Sequence, residues 1–238
     1  MSLPRRLAAE AIGSGLLSAT VVGSGIMAER LAAGNTAIAL LANTGATVAA
    51  LAVLIALLAP ISGAHFNPAV TLIRALQRQL TASAAVAYAV VQVAGCCAGA
   101  LLAHAMFDLP IVQASLHARR GAGQYLSEAV ATFGLLLVVL GCRPKDAPWM
   151  VAAWIGAAYW FTASTSFANP AITIARSLSN TFAGIRPQDA PAFIVAQVVG
   201  ALLAYWVSSR LFSLRADALA DNQSRDATTT ALPAQVGE

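Results

Sequence analysis

NPAVTLIRAL at residues 67–76 recurs as NPAITIARSL at residues 169–178, so that Asn67-Pro68-Ala69 and Asn169-Pro170-Ala171 begin the same pattern 102 positions apart. Each copy lies in an apolar region but is too short to cross a membrane, since a spanning helix needs about 20 apolar residues. Two matched interruptions of hydrophobic sequence are typical of membrane channels and transporters built from two repeats, with a site near the bilayer midplane.

The composition indicates an integral membrane protein. Hydrophobic residues make up 58% of the 238-residue chain and charged residues 10%, whereas about a quarter of a soluble domain is charged. A chain of 24.3 kDa cannot bury this much apolar surface in its own core, so lipid must be part of its solvent. The net charge of +4 is small and forms no basic stripe with interleaved aromatic residues, which argues against a nucleic-acid partner.

Six apolar runs are near the length of a membrane span, and two are shorter. In both short runs Pro follows Asn, which is a favourable helix start with Asn as the N-cap. Irregular backbone at membrane depth is tolerated where it lines a cavity, so we expect two half-helices that enter from opposite faces and meet at a pore. The fold class predicted is an all-α membrane protein with six spans, at about 7–28, 36–58, 83–105, 125–142, 148–166 and 190–212, and two half-helices, at about 67–77 and 169–179.

The repeat extends beyond the two short runs. VVQVAG at 90–95 matches VAQVVG at 195–200, and AEAIGSGL at 9–16 echoes SEAVATFGL at 127–135, which pairs Glu10 with Glu128. Each half then has an odd number of spans, so the halves are inverted relative to one another. The predicted organisation is a channel domain with two repeats, followed by a disordered cytoplasmic tail: domain 1–212, repeats about 1–107 and 122–212, tail 213–238.

The distribution of the 14 Lys and Arg residues favours cytoplasmic termini. With the N-terminus inside, nine lie on the cytoplasmic side and five outside. The apolar run near the N-terminus has no separate cleavage region, so it is interpreted as a retained span in a multi-pass protein. Cys96, Cys97 and Cys142 match neither a disulfide framework nor a metal spacing, and no cofactor or metal is predicted.

SGAHFNPAVT at 62–71, the second Asn-Pro-Ala box and the paired Glu and Gln positions resemble the aquaporin, or major intrinsic protein, family. The resemblance covers about 1–212. It implies a homotetramer with one pore per subunit in a bacterial-type inner membrane, passing water or small neutral solutes passively. The most similar type of member is the bacterial aquaglyceroporin.

Several residues have roles that follow from this arrangement. The side-chain amides of Asn67 and Asn169 offer N–H donors to a passing oxygen, and two half-helix N-termini repel cations and hydronium. An ionised carboxylate in a span is costly, so Glu10 and Glu128 are expected to accept loop N–H groups, ion binding being the alternative. The resemblance places His65 in a loop whose carbonyls line the pore, with proton sensing as the alternative.

The selectivity filter departs from the family pattern. Most members read Asn-Pro-Ala-Arg in the second box, and here that position is Ile172. Arg176 matches Arg74 of the first repeat and is expected to snorkel or cap a helix end, a filter Arg displaced from position 172 being the alternative. The resemblance implies that the remaining filter positions, estimated by spacing, are Thr47, Ala157 (or Gly156) and Ser166.

A filter of Thr, Ala, Ser and Ile predicts a wider, uncharged opening that suits polyols, urea or the uncharged hydroxide of trivalent arsenic. An Arg-free filter with this flanking sequence is also similar to a bacterial subgroup linked to arsenic resistance, which implies permeation by arsenite and methylarsenicals.

The leading hypothesis is a passive, bidirectional channel for small uncharged solutes with proton exclusion at the Asn-Pro-Ala boxes. A water-selective aquaporin is the alternative, and an ion-coupled secondary transporter is a remote one, because broken helices in inverted repeats also build transporters. No cluster of nucleophile, base and acid is visible, so an enzyme is not predicted.

Overall fold

A computed structural model describes residues 1–212, which form eight α-helices. The predicted tail at 213–238 lies outside the described residues. In chain order the helices are α1 (Leu3–Leu31), α2 (Thr36–Ser62), α3 (Pro68–Leu76), α4 (Ala82–Met106), α5 (Ala122–Gly141), α6 (Ala147–Phe161), α7 (Pro170–Ser177) and α8 (Ala190–Leu211). The short helices α3 and α7 are the two expected half-helices, and the described part of the chain contains no strand.

Five helices are long and apolar enough to cross a membrane: α1, α2, α4, α5 and α8. The sixth predicted span, 148–166, is helical only as far as Phe161 in α6, which has 15 residues. At 1.5 Å rise per residue such a helix covers about 22 Å, less than the ~30 Å hydrocarbon core. The residues after Phe161 leave the helix and lead back to α7.

The first and last helices of each repeat pack at very short range through glycine. A Cβ atom on Gly99 of α4 would lie 2.0 Å from the carbonyl oxygen of Gly15 in α1, and one on Gly200 of α8 would lie 2.2 Å from that of Ala129 in α5. Small residues allow this close approach of backbones, which is how helices associate in lipid. The two repeats therefore use the same helix pairing, α1 with α4 and α5 with α8.

Polarity is distributed as expected for a protein in lipid. Large apolar side chains such as Leu57, Val86 and Leu126 are more than 60% exposed on the outer surface. Glu10, Gln92, Glu128 and Gln197, in contrast, are fully buried among the helices. Polar groups buried at membrane depth need partners from within the protein. The two carboxylates bond to the loops before α3 and α7, and Nε2 of each glutamine bonds to a carboxylate and to a threonine of a half-helix.

Candidate solute pore

The loop before α3 is held by the carboxylate of Glu10. One carboxylate oxygen accepts hydrogen bonds from the Ser62 hydroxyl at 2.6 Å and the backbone N–H of His65 at 3.0 Å. The other accepts from the backbone N–H of Phe66 and from Nε2 of Gln92, both at 2.8 Å. Four charge-assisted hydrogen bonds offset the cost of burying this carboxylate.

The loop before α7 is held in the same way by Glu128. Its carboxylate accepts from the Ser164 hydroxyl at 2.6 Å and from the backbone N–H groups of Phe167 and Ala168 at 2.8 and 2.9 Å. Nε2 of Gln197 donates the fourth bond at 2.6 Å. Ser164, Phe167 and Ala168 lie 102 positions after Ser62, His65 and Phe66, so the two loops are anchored at equivalent positions.

Both loops contain three residues with left-handed backbone, again at equivalent positions. Non-glycine residues adopt a positive φ at a cost of order 1–3 kcal/mol each, and such residues persist only where the surroundings impose them. Here the buried carboxylates bond to backbone N–H groups within or beside these segments. The residues are Gly63 (φ 92°), Ala64 (48°) and Phe66 (48°) before α3, and Thr165 (60°), Ser166 (51°) and Ala168 (46°) before α7.

The two box asparagines cap the half-helices. Oδ1 of Asn67 accepts from the backbone N–H of Ala69 at 2.9 Å, and Oδ1 of Asn169 accepts from that of Ala171 at 3.0 Å. Pro68 and Pro170 occupy the first helical position, where a missing N–H costs nothing. Each half-helix therefore starts at its asparagine.

The same asparagines also join the two loops. Nδ2 of Asn67 donates to the carbonyl of Ala168 at 2.7 Å, and Nδ2 of Asn169 donates to the carbonyl of Phe66 at 2.8 Å. A side-chain amide has two N–H donors, so one N–H of each asparagine remains for another acceptor. The N-termini of α3 and α7, and with them the positive ends of two helix dipoles, meet at this point.

A cavity of about 130 Å³ passes the two asparagines. His65, from the loop before α3, lines it and bonds through Nδ1 to the Thr71 hydroxyl at 3.0 Å. Other lining residues divide between the two half-helices: Gly63, Val70 and Arg74 belong to the side of α3, and Tyr159, Ser166, Ile172 and Arg176 to the side of α7. We refer to these two sides as the α3 end and the α7 end.

Three of the four filter residues estimated from spacing line this cavity: Thr47, Ser166 and Ile172. Ala157 does not, because it is exposed on the outer surface of α6. The side chain of α6 that reaches the α7 end is Tyr159, whose hydroxyl donates to Oγ1 of Thr47 at 3.4 Å. The spacing estimate for α6 was therefore wrong by two residues, which is more than half a helical turn.

The alternative Gly156 does not line the cavity either. A Cβ atom there would lie 2.7 Å from the side chain of Val48 in α2, so this glycine serves helix packing. Val151, Ile155 and Tyr159 line the cavity at four-residue spacing, which is one face of a helix. The signal for Tyr159 was thus present in the sequence as a periodic face of α6, but it cannot be read from spacing to the box.

Arg176 lies in the last turn of α7, as expected for a helix-end residue, but the snorkelling prediction is wrong. It does not snorkel, because it is only 3% exposed. Its Nε donates to the carbonyl of Ala183, and its guanidinium carbon lies 3.4 Å from the ring centroid of Phe167. Since Arg176 also lines the cavity, the opening at the α7 end contains a cation, and the prediction of an uncharged opening describes position 172 only.

A second buried arginine, Arg119 in the segment between α4 and α5, was not singled out by sequence. Its guanidinium donates to the carbonyls of Gly184 at 2.8 Å, Ser164 at 3.2 Å and Phe182 at 3.5 Å. Burial lowers the pKa of this guanidinium to about 10, so it stays charged at pH 7. Arg119 joins the segment before α5 to the loops on both sides of α7.

The sequence and the fold are similar to those of known membrane channels. Residues 1–149 match the family model of the major intrinsic proteins. The chain is 57% identical over 205 residues to the aquaglyceroporin AqpS of Rhizobium meliloti (strain 1021), covering 85% of this chain and 88% of that protein.

It is 30% identical over 241 aligned positions to a probable aquaporin, AqpM, of Archaeoglobus fulgidus, covering 89% and 98% of the two chains. The X-ray structure of the aquaglyceroporin from Plasmodium falciparum has a TM-score of 0.67 at 18% identity and covers 91% of this chain and 99% of that chain. At that identity the likeness concerns the fold.

Proposed function

We propose that glycerol-type polyols, arsenite and methylarsenicals are among the permeants of this protein, together with water. The chain belongs to the major intrinsic protein family and is a channel for small uncharged solutes. The observation that supports a passage for solutes is the pair of reciprocal bonds from Asn67 and Asn169 to the opposite loops. These bonds place two amide donors and two helix N-termini at one point of a continuous cavity.

Proton exclusion follows from the same geometry. A water molecule that accepts from the free N–H of both asparagines has its lone pairs engaged, so it cannot relay a proton along the file. The positive ends of α3 and α7 add a repulsive field for cations and hydronium. In this proposal Asn67 and Asn169 act on the solute, while Pro68, Ala69, Pro170 and Ala171 start the half-helices.

The proposed solutes follow from the α7 end. Ile172 leaves position 172 uncharged, and the hydroxyls of Thr47 and Ser166 offer hydrogen bonds to a polyol. Tyr159 makes this end narrower than small side chains alone would. The relative from Rhizobium meliloti, described as an aquaglyceroporin, supports glycerol. Arsenite and methylarsenicals are proposed because uncharged arsenic hydroxides resemble a polyol in size and hydrogen bonding.

Supporting roles are proposed for three further residues. Glu10 and Glu128 position the two loops rather than bind ions, since each carboxylate is fully engaged by four donors. His65 lines the α3 end and holds its own half-helix through Thr71.

We also propose a homotetramer in the inner membrane with both termini in the cytoplasm. The support for the orientation is the excess of Lys and Arg on the side that this orientation makes cytoplasmic. With the N-terminus inside, the α3 end faces the cytoplasm and the α7 end faces outward.

Stopped-flow light scattering on proteoliposomes tests the proposal. Liposomes with the purified protein are mixed with sucrose, glycerol or arsenite in the absence of any ion gradient, and protein-free liposomes serve as the control. Fast re-swelling in glycerol and arsenite is expected. Fast water flux without solute flux would instead identify a water-selective aquaporin, and uptake that requires an ion gradient would identify a coupled transporter.

A further inference from the structure

The α7 end contains two polar groups that nothing in the described chain accounts for. Among the hydrogen bonds of residues 1–212, Arg176 makes one, from Nε to Ala183, so its two terminal guanidinium nitrogens have no protein acceptor. The hydroxyl of Ser166 is also without a partner, although the residue is only 2% exposed. Both residues line the cavity.

A buried guanidinium whose terminal nitrogens lack acceptors costs free energy, because a buried charge normally needs hydrogen-bond partners. A ligand in the cavity that accepts from these nitrogens would offset that cost. Within residues 1–212 the two ion pairs are Arg143–Asp146 and Arg186–Asp189, so neither involves Arg176. The ring of Phe167 at 3.4 Å and the carboxyl end of α7, in whose last turn Arg176 lies, favour a cation here. They fix the guanidinium in place but accept none of the hydrogen bonds from its terminal nitrogens.

Arg119, the other buried arginine near α7, has protein acceptors for its guanidinium. All three of its donating nitrogens reach backbone carbonyls, and it does not line this cavity. The difference between the two buried arginines is therefore that Arg176 presents its terminal N–H groups to the passage.

We propose that Arg176, together with Ser166 in the lining of the same cavity, is the specificity-determining donor set at the α7 end, and that it binds the oxygen atoms of small uncharged solutes that carry hydroxyl or carbonyl groups. The cation of the constriction is thus supplied one helical turn beyond Ile172, on the same face of α7, because positions four apart on a helix lie above one another. This inference rests on the proposed channel function.

The guanidinium of Arg176 contacts a passing solute at a different level of the passage than an arginine at position 172 would. Ile172 keeps the wall between Asn169 and Arg176 apolar, so a solute meets the guanidinium and the asparagines at two separate levels. A polyol sheds more hydration than a single water molecule does on entering the cavity, so it depends more on donors that replace that hydration. Arg176 also supplies positive charge that hinders small cations.

The test compares Arg176→Met, Arg176→Lys and the control Arg120→Met in proteoliposomes. Arg120 is exposed, follows Arg119 in sequence and does not line the cavity, so its loss removes a positive charge without touching the passage. Three quantities are measured in each sample: water permeability, glycerol permeability, and proton leak reported by an entrapped pH-sensitive dye.

For Arg176→Met we expect the ratio of glycerol to water permeability to fall about tenfold and the proton leak to rise. Arg176→Lys keeps the charge but loses the planar fork, so its ratio should fall about threefold with the leak unchanged. Arg120→Met should match the wild type in all three quantities. A purely structural Arg176 would lower water and glycerol permeability together and leave their ratio constant.

The proposal is overturned if Arg176→Met or, should that variant not fold, Arg176→Lys keeps the wild-type ratio. It is also overturned if Arg120→Met changes the ratio as much as Arg176→Met does. Failure of the channel function itself is distinguishable, because the wild-type protein would then carry no solute at all.

Discussion

The loop and half-helix at 62–77 and those at 164–179 have one scaffold and different side chains in the passage. Each begins with a serine bonded to a buried glutamate, continues through three left-handed residues and ends in a helix capped by asparagine. Every one of these features recurs after 102 positions. The features that build a passage are therefore duplicated.

Two pairs of equivalent positions bear most on the passage. His65 of the first loop corresponds to Phe167 of the second, and Arg74 corresponds to Arg176. Arg74 is half-buried, and its terminal nitrogens donate to the side chain of Gln77 at 3.1 Å and to the carbonyl of Val139 at 3.2 Å. Arg176 is buried on the ring of Phe167, and its terminal nitrogens have no acceptor among residues 1–212.

The comparison teaches that the loop anchors and caps are duplicated in sequence and in contacts, whereas the passage differs through unmatched residues and through the different surroundings of the matched arginines Arg74 and Arg176. His65 binds a threonine of its own half-helix, whereas Phe167 provides a flat surface for a cation. A symmetric scaffold thus carries an asymmetric passage, with the selective part at the α7 end.

The largest effect is expected for Glu10→Gln and Glu128→Gln, because each carboxylate holds one pore loop through four hydrogen bonds. A glutamine amide would place N–H donors against the loop N–H groups and against Gln92 or Gln197. Each lost charge-assisted hydrogen bond is worth about 1.5–3 kcal/mol, so both variants should unfold at clearly lower temperature and lose all flux. Thermal unfolding in detergent measures this. Tolerance of either substitution would show that its half does not depend on the carboxylate.

The next largest effect is expected for Ile172→Arg compared with Val70→Arg, the equivalent position of the first box. A second cation at the α7 end narrows the passage, so glycerol and arsenite flux should fall about tenfold while water flux survives better. Val70→Arg lies at the α3 end, so it should reduce water and glycerol flux in similar proportion. Stopped-flow swelling gives the ratio of glycerol to water permeability for each variant. Unchanged solute flux in Ile172→Arg would mean that position 172 is outside the constriction.

A smaller effect is expected for Tyr159→Ala compared with Ala157→Leu. Removing the ring of Tyr159 widens the α7 end, so permeability to polyols larger than glycerol should rise a few-fold. Ala157 is exposed on α6, so enlarging it should leave the fluxes unchanged. The measurement is a polyol size series in proteoliposomes. If Ala157→Leu instead lowered the fluxes and Tyr159→Ala left them unchanged, Ala157 and not Tyr159 would be the filter residue of α6.

The smallest effect is expected for Arg74→Met. Its terminal nitrogens already have acceptors within the protein, so the ratio of glycerol to water permeability should change by less than about twofold. The same swelling measurement checks this. A change as large as that expected for Arg176→Met would remove the distinction between the two ends.

The fold could be predicted because its determinants are local and repeated. The two Asn-Pro-Ala boxes predicted half-helices, the repeat predicted that Glu10 and Glu128 are equivalent, and the apolar runs predicted the spans. The α6 span was the exception. The C-terminal part of that predicted span is a loop. The sequence does not reveal it, because the left-handed residues of this loop, Thr165, Ser166 and Ala168, include no glycine.

The α7 end could be predicted only in part, because it depends on contacts between distant residues. Ser166 and Ile172 lie three residues before and after Asn169, so they could be assigned by spacing from it, and both line the cavity. Tyr159 depends on the rotation of α6, and the position of Arg176 depends on Phe167 and on the loop that carries Ala183. Neither the rotation of α6 nor the stacking of Arg176 on Phe167 can be read from spacing to the second box.

A crystal structure of the protein soaked in glycerol tests the asymmetry most directly. Both ends of the cavity then meet the same solute concentration, so a difference in occupancy reports the protein itself. We predict ordered glycerol at the α7 end, with oxygen atoms within hydrogen-bond distance of the terminal nitrogens of Arg176 and the hydroxyl of Ser166. Glycerol ordered only at the α3 end, beside His65 and Arg74, would contradict the account.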